Sequence, residues 1–319
     1  MMKQKSMMTH VLNYIAHKRH LGCVFATSSV LLKAFGRYVD AHAFGQPLTI
    51  KLAVQWASLS QASQHQRACR LQTLRPFARY LATIDSRTQL IPSRILGPKH
   101  YRPTPYIYTH KQIIQLMKVK VCKKSKTCRE LTNATVSTLI GLMACTGLRV
   151  REALTLQQSH IDWRQKTILV QWSKRLPMRL VPLDSSVVKA LRKYETFRNK
   201  CFPEIKDNFF INAFGRPLPY LSLHEYWKII LKNTGVGNGR QKRPRIHDLR
   251  HTFACNHLMK AYKKNWNINN AIDLLSIYLG HTSPKETYWY LSAVPELLKL
   301  CSERSQKEWK KTRENMKKQ

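Results

Sequence analysis

His247-Asp248-Leu249-Arg250-His251-Thr252-Phe253 opens a stretch that runs on to Leu279-Gly280-His281 and closes at Tyr288-Trp289-Tyr290. Histidines, an arginine and tyrosines fall within about forty residues of a strongly basic chain. These are the groups with which a metal-free enzyme breaks a phosphodiester: cations for the phosphate charge, an imidazole for protons and a phenol as nucleophile. A helix from His247 to Tyr262 sets His247 and Arg250 one turn apart on one face. A second, Ile268 to Tyr278, stops at Gly280. Pro284 starts a short third helix carrying Tyr288 and Tyr290. Those two side chains point about 200° apart on a helix, so only one of them can enter a pocket.

Upstream, Leu131 to Ala144 reads as a buried apolar helix that ends at Thr146-Gly147-Leu148-Arg149, with Gly147 as its C-terminal residue. Arg149 leaves that helix at a turn, with Glu152 three residues on. The β-rich runs Thr167 to Trp172 and Met178 to Leu183 predict a hairpin with Lys174 at its tip. Ser185 to Lys200 and Leu221 to Thr234 read as helices, Phe209 to Asn212 as a short strand, and Val294 to Asn315 as a last amphipathic helix grading into a basic tail. Gly235, Gly237 and Gly239 do not follow a strand and open into a helix, so they form no nucleotide fingerprint.

The charge of the whole chain points to the partner. Lys plus Arg number 55 against 17 Asp plus Glu over 319 residues, a formal charge of +38. Self-repulsion of that size calls for a polyanion, and nucleic acid fits best. With 43% hydrophobic and 9% aromatic residues the chain is globular. Its eight cysteines are scattered without a CxxC pair, which argues for free thiols in a reducing compartment and against zinc. No clustered Asp/Glu pair near the histidine boxes suits magnesium, so neither a metal nor another cofactor is expected. The most hydrophobic run, Val136 to Leu148, is too short for a bilayer, and no membrane role is expected.

Residues 1–95 carry helical apolar spacing, as in Val11, Tyr14 and Ile15, and predict about four amphipathic helices. Their Lys18, Arg19, Lys33, Arg37, Arg67, Arg70, Arg75 and Arg79 suit either a phosphate-facing surface or a solvated face. Residues 96–106, punctuated by Pro98, Pro103 and Pro105, read as an extended linker to a second domain over 107–319.

With Arg149, Lys174, His247, Arg250, His281 and Tyr290 in this order, the C-terminal half resembles the tyrosine recombinase (phage-integrase-like) family. Thr146 to Leu154 is similar to its first-arginine box and His247 to Ala254 to its HxxR box. Leu279-Gly280-His281 with a tyrosine nine residues on is similar to its C-terminal box. Lys174, eight residues before Pro182, matches its hairpin lysine. The resemblance covers residues 107–300. It implies a mainly α fold with a small β-sheet, a helical core-binding-like domain followed by a catalytic domain. It implies site-specific cutting and rejoining of double-stranded DNA through a 3′-phosphotyrosyl intermediate, without metal or ATP. Tyr290 would be the nucleophile, Arg149 and Arg250 the phosphate clamps and Lys174 the acid for the leaving oxygen. His247 would move a proton at the tyrosine and His281 would hydrogen-bond the phosphate; Glu152 would orient the arginines, and His251 would be a structural neighbour. Four protomers on two duplexes would be the assembly, with Leu297, Leu298 and Leu300 anchoring the last helix on a neighbour or on its own domain. The expected location is the cytoplasm, at the nucleoid. Two other activities remain open: strand relaxation of the type IB topoisomerase kind, and a catalytically silent DNA-binding regulator on the same fold.

Overall fold

The computed structural model describes residues 6–96, 104–122, 126–171, 178–205, 207–239 and 243–316. Lys174 and the rest of the expected hairpin tip, with Trp172 at the end of the first run, lie outside these residues, as does the 97–103 part of the expected linker. The chain divides into two compact units, Met1–Pro103 and Thr104–Gln319.

The described part of the first unit is helical: α1 (Met7–His20), α2 (Ala26–His42), α3 (Ile50–Ala57) and α4 (Gln64–Ala82). Side chains at the helix starts accept the backbone N–H groups that a first turn leaves without partners. Ser6 does this for α1 and Thr49 for α3, while Ser63 and Gln66 close a reciprocal capping box on α4. Asp40 on α2 adds its carboxylate to the N–H groups of Met7 and Met8. The apolar stripes meet in a core that includes Val11, Tyr14, Phe35, Trp56, Leu74 and Phe77. Several expected phosphate-facing arginines are used internally. Arg70 donates to the carbonyls of Ala57, the last residue of α3, and Leu59, and lies 5.7 Å from the Trp56 ring. Arg67 donates to Ala62 O and Arg75 to Pro92 O. Arg19, Arg37 and Arg79 are exposed.

The second unit starts with α5 (His110–Lys118), capped by Thr109 and Gln112, and α6 (Lys126–Thr146). A short helix, α7 (Val150–Leu154), leads to an antiparallel sheet of β1 (Ile161–Asp162), β2 (Thr167–Val170) and β3 (Arg179–Pro182) in the order β1-β2-β3. Ile161 pairs with Ile168 and Ile168 with Val181, so one buried row crosses the sheet, and Val170 pairs with Arg179. Then come α8 (Ser185–Cys201), α9 (Tyr220–Thr234), α10 (Asp248–Lys263), α11 (Ile268–Leu279), α12 (Lys285–Ala293) and α13 (Pro295–Met316). Among the described residues no helix is long and apolar enough to cross a membrane.

Phe209–Asn212 is not a strand of the sheet. One isolated bridge, Gln157–Asn208, lies just before it and another, Ile211–Pro217, falls within it. Phe209, Phe210 and Ile211 are all buried, without the one-in, one-out alternation of a half-exposed strand, and both phenyl rings pack on Tyr194. Tyr106, placed in the linker by sequence, belongs to the second unit with Tyr108, which is buried and whose hydroxyl donates to Arg245 O. Of the three leucines on α13, Leu297 is wholly buried in its own unit beside Leu258, Ile272 and Val294, and Leu298 is exposed.

Candidate active site

The end of α11 organises the site. Gly280 takes the left-handed conformation (φ 65°), and its N–H and that of His281 bond back to Ile277 O and Ser276 O. Two of the helix's last four carbonyls are thereby satisfied by backbone. The next three peptide oxygens each receive an arginine. Arg179 Nε donates to Tyr278 O at 2.8 Å, Arg250 Nη2 to Leu279 O at 2.7 Å and Arg149 Nη2 to Gly280 O at 2.8 Å. The negative end of a helix dipole attracts such cations.

Each arginine arrives from a different element. α6 ends at Gly147, whose φ of 63° turns the chain; a Cβ there would lie 2.6 Å from the Phe253 ring, so glycine is needed for space as well as conformation. That turn aims the Gly147 carbonyl at Arg250 Nη1 (2.9 Å) and puts Arg149 at the start of α7. Arg250 sits in the first turn of α10, almost fully buried. Burial pushes its guanidinium down to about 10, with the Arg149 charge adding to the effect, and the group stays charged at neutral pH. Arg179 comes from the first position of β3.

Glu152 binds two of the three. Its Oε1 accepts from Arg149 Nη1 (3.0 Å) and Arg179 Nη1 (3.1 Å), and its Oε2 from Arg179 Nη2 (2.8 Å) and the Arg149 backbone N–H (2.8 Å). Burial alone would raise its carboxyl, but the hydrogen bonds from Arg179 and Arg149 outweigh it and hold the group below the usual carboxylate range. The carboxylate is fully covered, whereas the Arg149 side chain keeps 25% exposure. Glu152 therefore orients the cations, and Arg149 offers the cluster's reachable edge.

α10 carries the imidazoles. His247 is largely buried, and desolvation, followed by the charges of Arg250, Arg245 and Arg149, depresses it to about 4, so it is neutral at neutral pH. Its ring stands edge-on to His251, centroids 4.8 Å apart. His251 in turn places Nδ1 2.9 Å from the hydroxyl of Tyr290. Tyr290, on α12, is only 2% exposed and packs with Val294 and Leu297 against α10 and α11. Its rival Tyr288 is 43% exposed, near Asn269. His281 follows Gly280 directly, and its Nδ1 lies 2.7 Å from the hydroxyl of buried Thr287.

The structure thus brings Arg149, Arg250, His247, His281 and Tyr290 to α10, α12 and the two glycine turns. Residues 107–296 match the family model described as the phage integrase family. The chain belongs to that family.

Its curated relatives agree. A chain of Sinorhizobium fredii that carries the name integrase/recombinase y4rE is 31% identical over 293 residues, covering 92% of this chain and 93% of that one. Tyrosine recombinase XerD of Staphylococcus aureus is 28% identical over 233 residues, 69% of this chain and 72% of its own. The fold is that of solved recombinases. The XerH site-specific recombinase, bound to a palindromic difH substrate after cleavage, has a TM-score of 0.66 at 19% identity, over 86% of this chain and 78% of that one. The Tn1549 transposon integrase, in complex with transposon right end DNA, also reaches 0.66, at 15% identity over 90% of this chain and 94% of that one. The mainly helical fold with a small antiparallel sheet is therefore that of a tyrosine recombinase, and the chain is an enzyme of that class.

Two residues of this recombinase's site escaped the sequence reading. Arg179 pairs with Glu152 across 27 positions, and its only local sign was a basic residue at the head of a strand. His251 was set aside as a neighbour, although its four-residue spacing from His247 puts both rings on one face of α10.

Proposed function

We propose that this recombinase cuts and rejoins double-stranded DNA at specific sites by attack of Tyr290 on a backbone phosphate. One observation carries the reading: Arg149 and Arg250 converge on consecutive peptide oxygens, Leu279 O and Gly280 O, in the same turn that leads through His281 to the helix bearing Tyr290. Guanidinium groups held in fixed directions suit the non-bridging oxygens of a phosphate, and stabilise the charge that grows on them in a pentacoordinate transition state.

In this reading Tyr290 Oη forms a bond to phosphorus as the bond to the 5′ oxygen breaks. A 3′-phosphotyrosyl link and a 5′-hydroxyl result, and attack by a 5′-hydroxyl of a second duplex reverses the step. The phosphoester is exchanged rather than hydrolysed, so neither ATP nor a metal ion is required. Lys174 supplies the proton for the leaving oxygen, His281 holds the phosphate, and neutral His247 supports proton movement at the nucleophile. The +38 charge suits a DNA polyanion, and the exposed Arg19, Arg37 and Arg79 of the first unit add phosphate contacts. Exchange between two duplexes needs four nucleophiles, hence four protomers.

The test is a nicked suicide duplex carrying the sequence that flanks the gene, incubated with the full chain and resolved in denaturing gels. Wild type and Tyr288→Phe should form a covalent adduct, and Tyr290→Phe should form none while binding the duplex with an affinity close to wild type. An adduct that survives in Tyr290→Phe sinks the nucleophile assignment. Two differently labelled duplexes separate strand exchange from relaxation: a joined hybrid product is expected, and rejoining of the original strand alone would point to topoisomerase-like activity.

A further inference from the structure

We infer that His251 is the catalytic base that takes the proton of Tyr290 during attack. The inference rests on Tyr290 being the nucleophile. It goes beyond that reading by placing the proton on an imidazole to which the recognised boxes give no chemical part.

The geometry is direct. Nδ1 of His251 lies 2.9 Å from Tyr290 Oη, within the range over which a general base must reach its proton. The rings meet edge to face, with centroids 5.5 Å apart. His251 follows Arg250 in the chain, and Arg250 is fixed by the carbonyls of Gly147 and Leu279, so the base is tied to the same frame as the phosphate clamp. The imidazole is also flanked, by His247 at 4.8 Å and Trp289 at 5.6 Å between centroids. It is therefore held in place from both sides while it faces the phenol.

The chemistry needs such a group. A phenol ordinarily titrates near 10, so at neutral pH its proton must leave as the nucleophile attacks. Tyr290 is 2% exposed, which removes bulk water as the ready acceptor. His247 stands against the His251 ring, and it is His251 whose nitrogen meets the phenol. In the forward step the Oη–P bond forms, the bond from phosphorus to the 5′ oxygen breaks, and the phenolic proton passes to Nδ1 of His251. The 5′ oxygen takes its proton from a separate acid. On reversal, His251 returns the proton to Oη as the phosphotyrosyl bond opens. His251 acts in the tautomer that carries its proton on Nε2 before attack.

Single-turnover adduct formation on the nicked flanking-sequence duplex tests this in the full chain. His251→Gln can keep a hydrogen bond to the hydroxyl but cannot take up the proton at neutral pH. It should slow adduct formation on the order of 10²-fold, as should His251→Ala, with duplex affinity unchanged. Added imidazole should speed His251→Ala in proportion to its concentration and leave wild type and Tyr290→Phe unmoved. If His251→Gln forms adduct at the wild-type rate, or if imidazole restores nothing to a His251→Ala protein that still binds the duplex, the base is not His251. Those results leave Tyr290 standing as nucleophile. A wild-type chain with no adduct at all removes the nucleophile and this inference together.

Discussion

The arginine end of the site and the tyrosine end are held by different means. Three guanidiniums, from the residue that precedes α7, from α10 and from β3, are pinned to main-chain oxygens and a buried carboxylate. The phenol sits in an apolar cluster with its hydroxyl on an imidazole. The first arrangement is set by peptide geometry and permanent charge. The second depends on a group whose proton can move. In the proposed reaction a phosphate clamp must not shift as charge builds on its ligand, whereas a nucleophile must change state, and the two arrangements suit those two tasks.

The largest break in this contrast, after loss of the tyrosine itself, comes from Glu152→Ala. It strips two partly buried guanidiniums of their shared anion, and removal of one partner of a buried pair costs about 3–5 kcal/mol. Urea unfolding should report that loss, and adduct formation should fall with it because Arg149 is no longer aimed. An unfolding midpoint equal to wild type would show that the carbonyls alone suffice. Arg250→Ala should slow adduct formation about 10²- to 10³-fold, the usual range for a lost transition-state donor, with much less effect on duplex affinity. An equal loss of affinity on every duplex tested would assign Arg250 to binding alone.

Much of this contrast was legible in the sequence, and the parts that were not share a cause. His247, Arg250, His281 and Tyr290 were singled out because motif spacing on and beside the helices carries them, and the fold brings them to one region. Gly147 and Gly280 were read as helix ends, and both have positive φ. Arg179 was missed because its partners, Glu152 and Tyr278 O, are brought to it only by sheet and helix packing. The link from His251 to Tyr290 spans 39 residues, and no local pattern encodes it. The Phe209–Asn212 run looked like a strand because its apolar residues suit one. Burial of consecutive side chains, rather than a place in the three-stranded sheet, is what the fold asks of them.

The smallest effect is that of pH on stability. His247 is depressed to about 4 in the folded protein against an ordinary value of 6.5. Between those values the unfolded chain binds the proton and the folded chain does not, so stability falls as pH drops from 6.5 toward 4 and levels off below. The full span is worth at most about 3 kcal/mol. Unfolding of wild type against His247→Gln across that window should isolate it. Identical slopes would mean that the ring is not kept neutral by its surroundings.

The three guanidiniums at the end of α11 face a single carboxylate among the described residues, which leaves two positive charges in excess where Arg149 meets solvent. Peptide oxygens orient these groups but, being uncharged, do not cancel them. The cluster therefore carries uncancelled positive charge at the edge that solvent reaches. In the proposed reaction a phosphodiester docking there supplies the opposite charge, so binding of the substrate and relief of internal repulsion become one event.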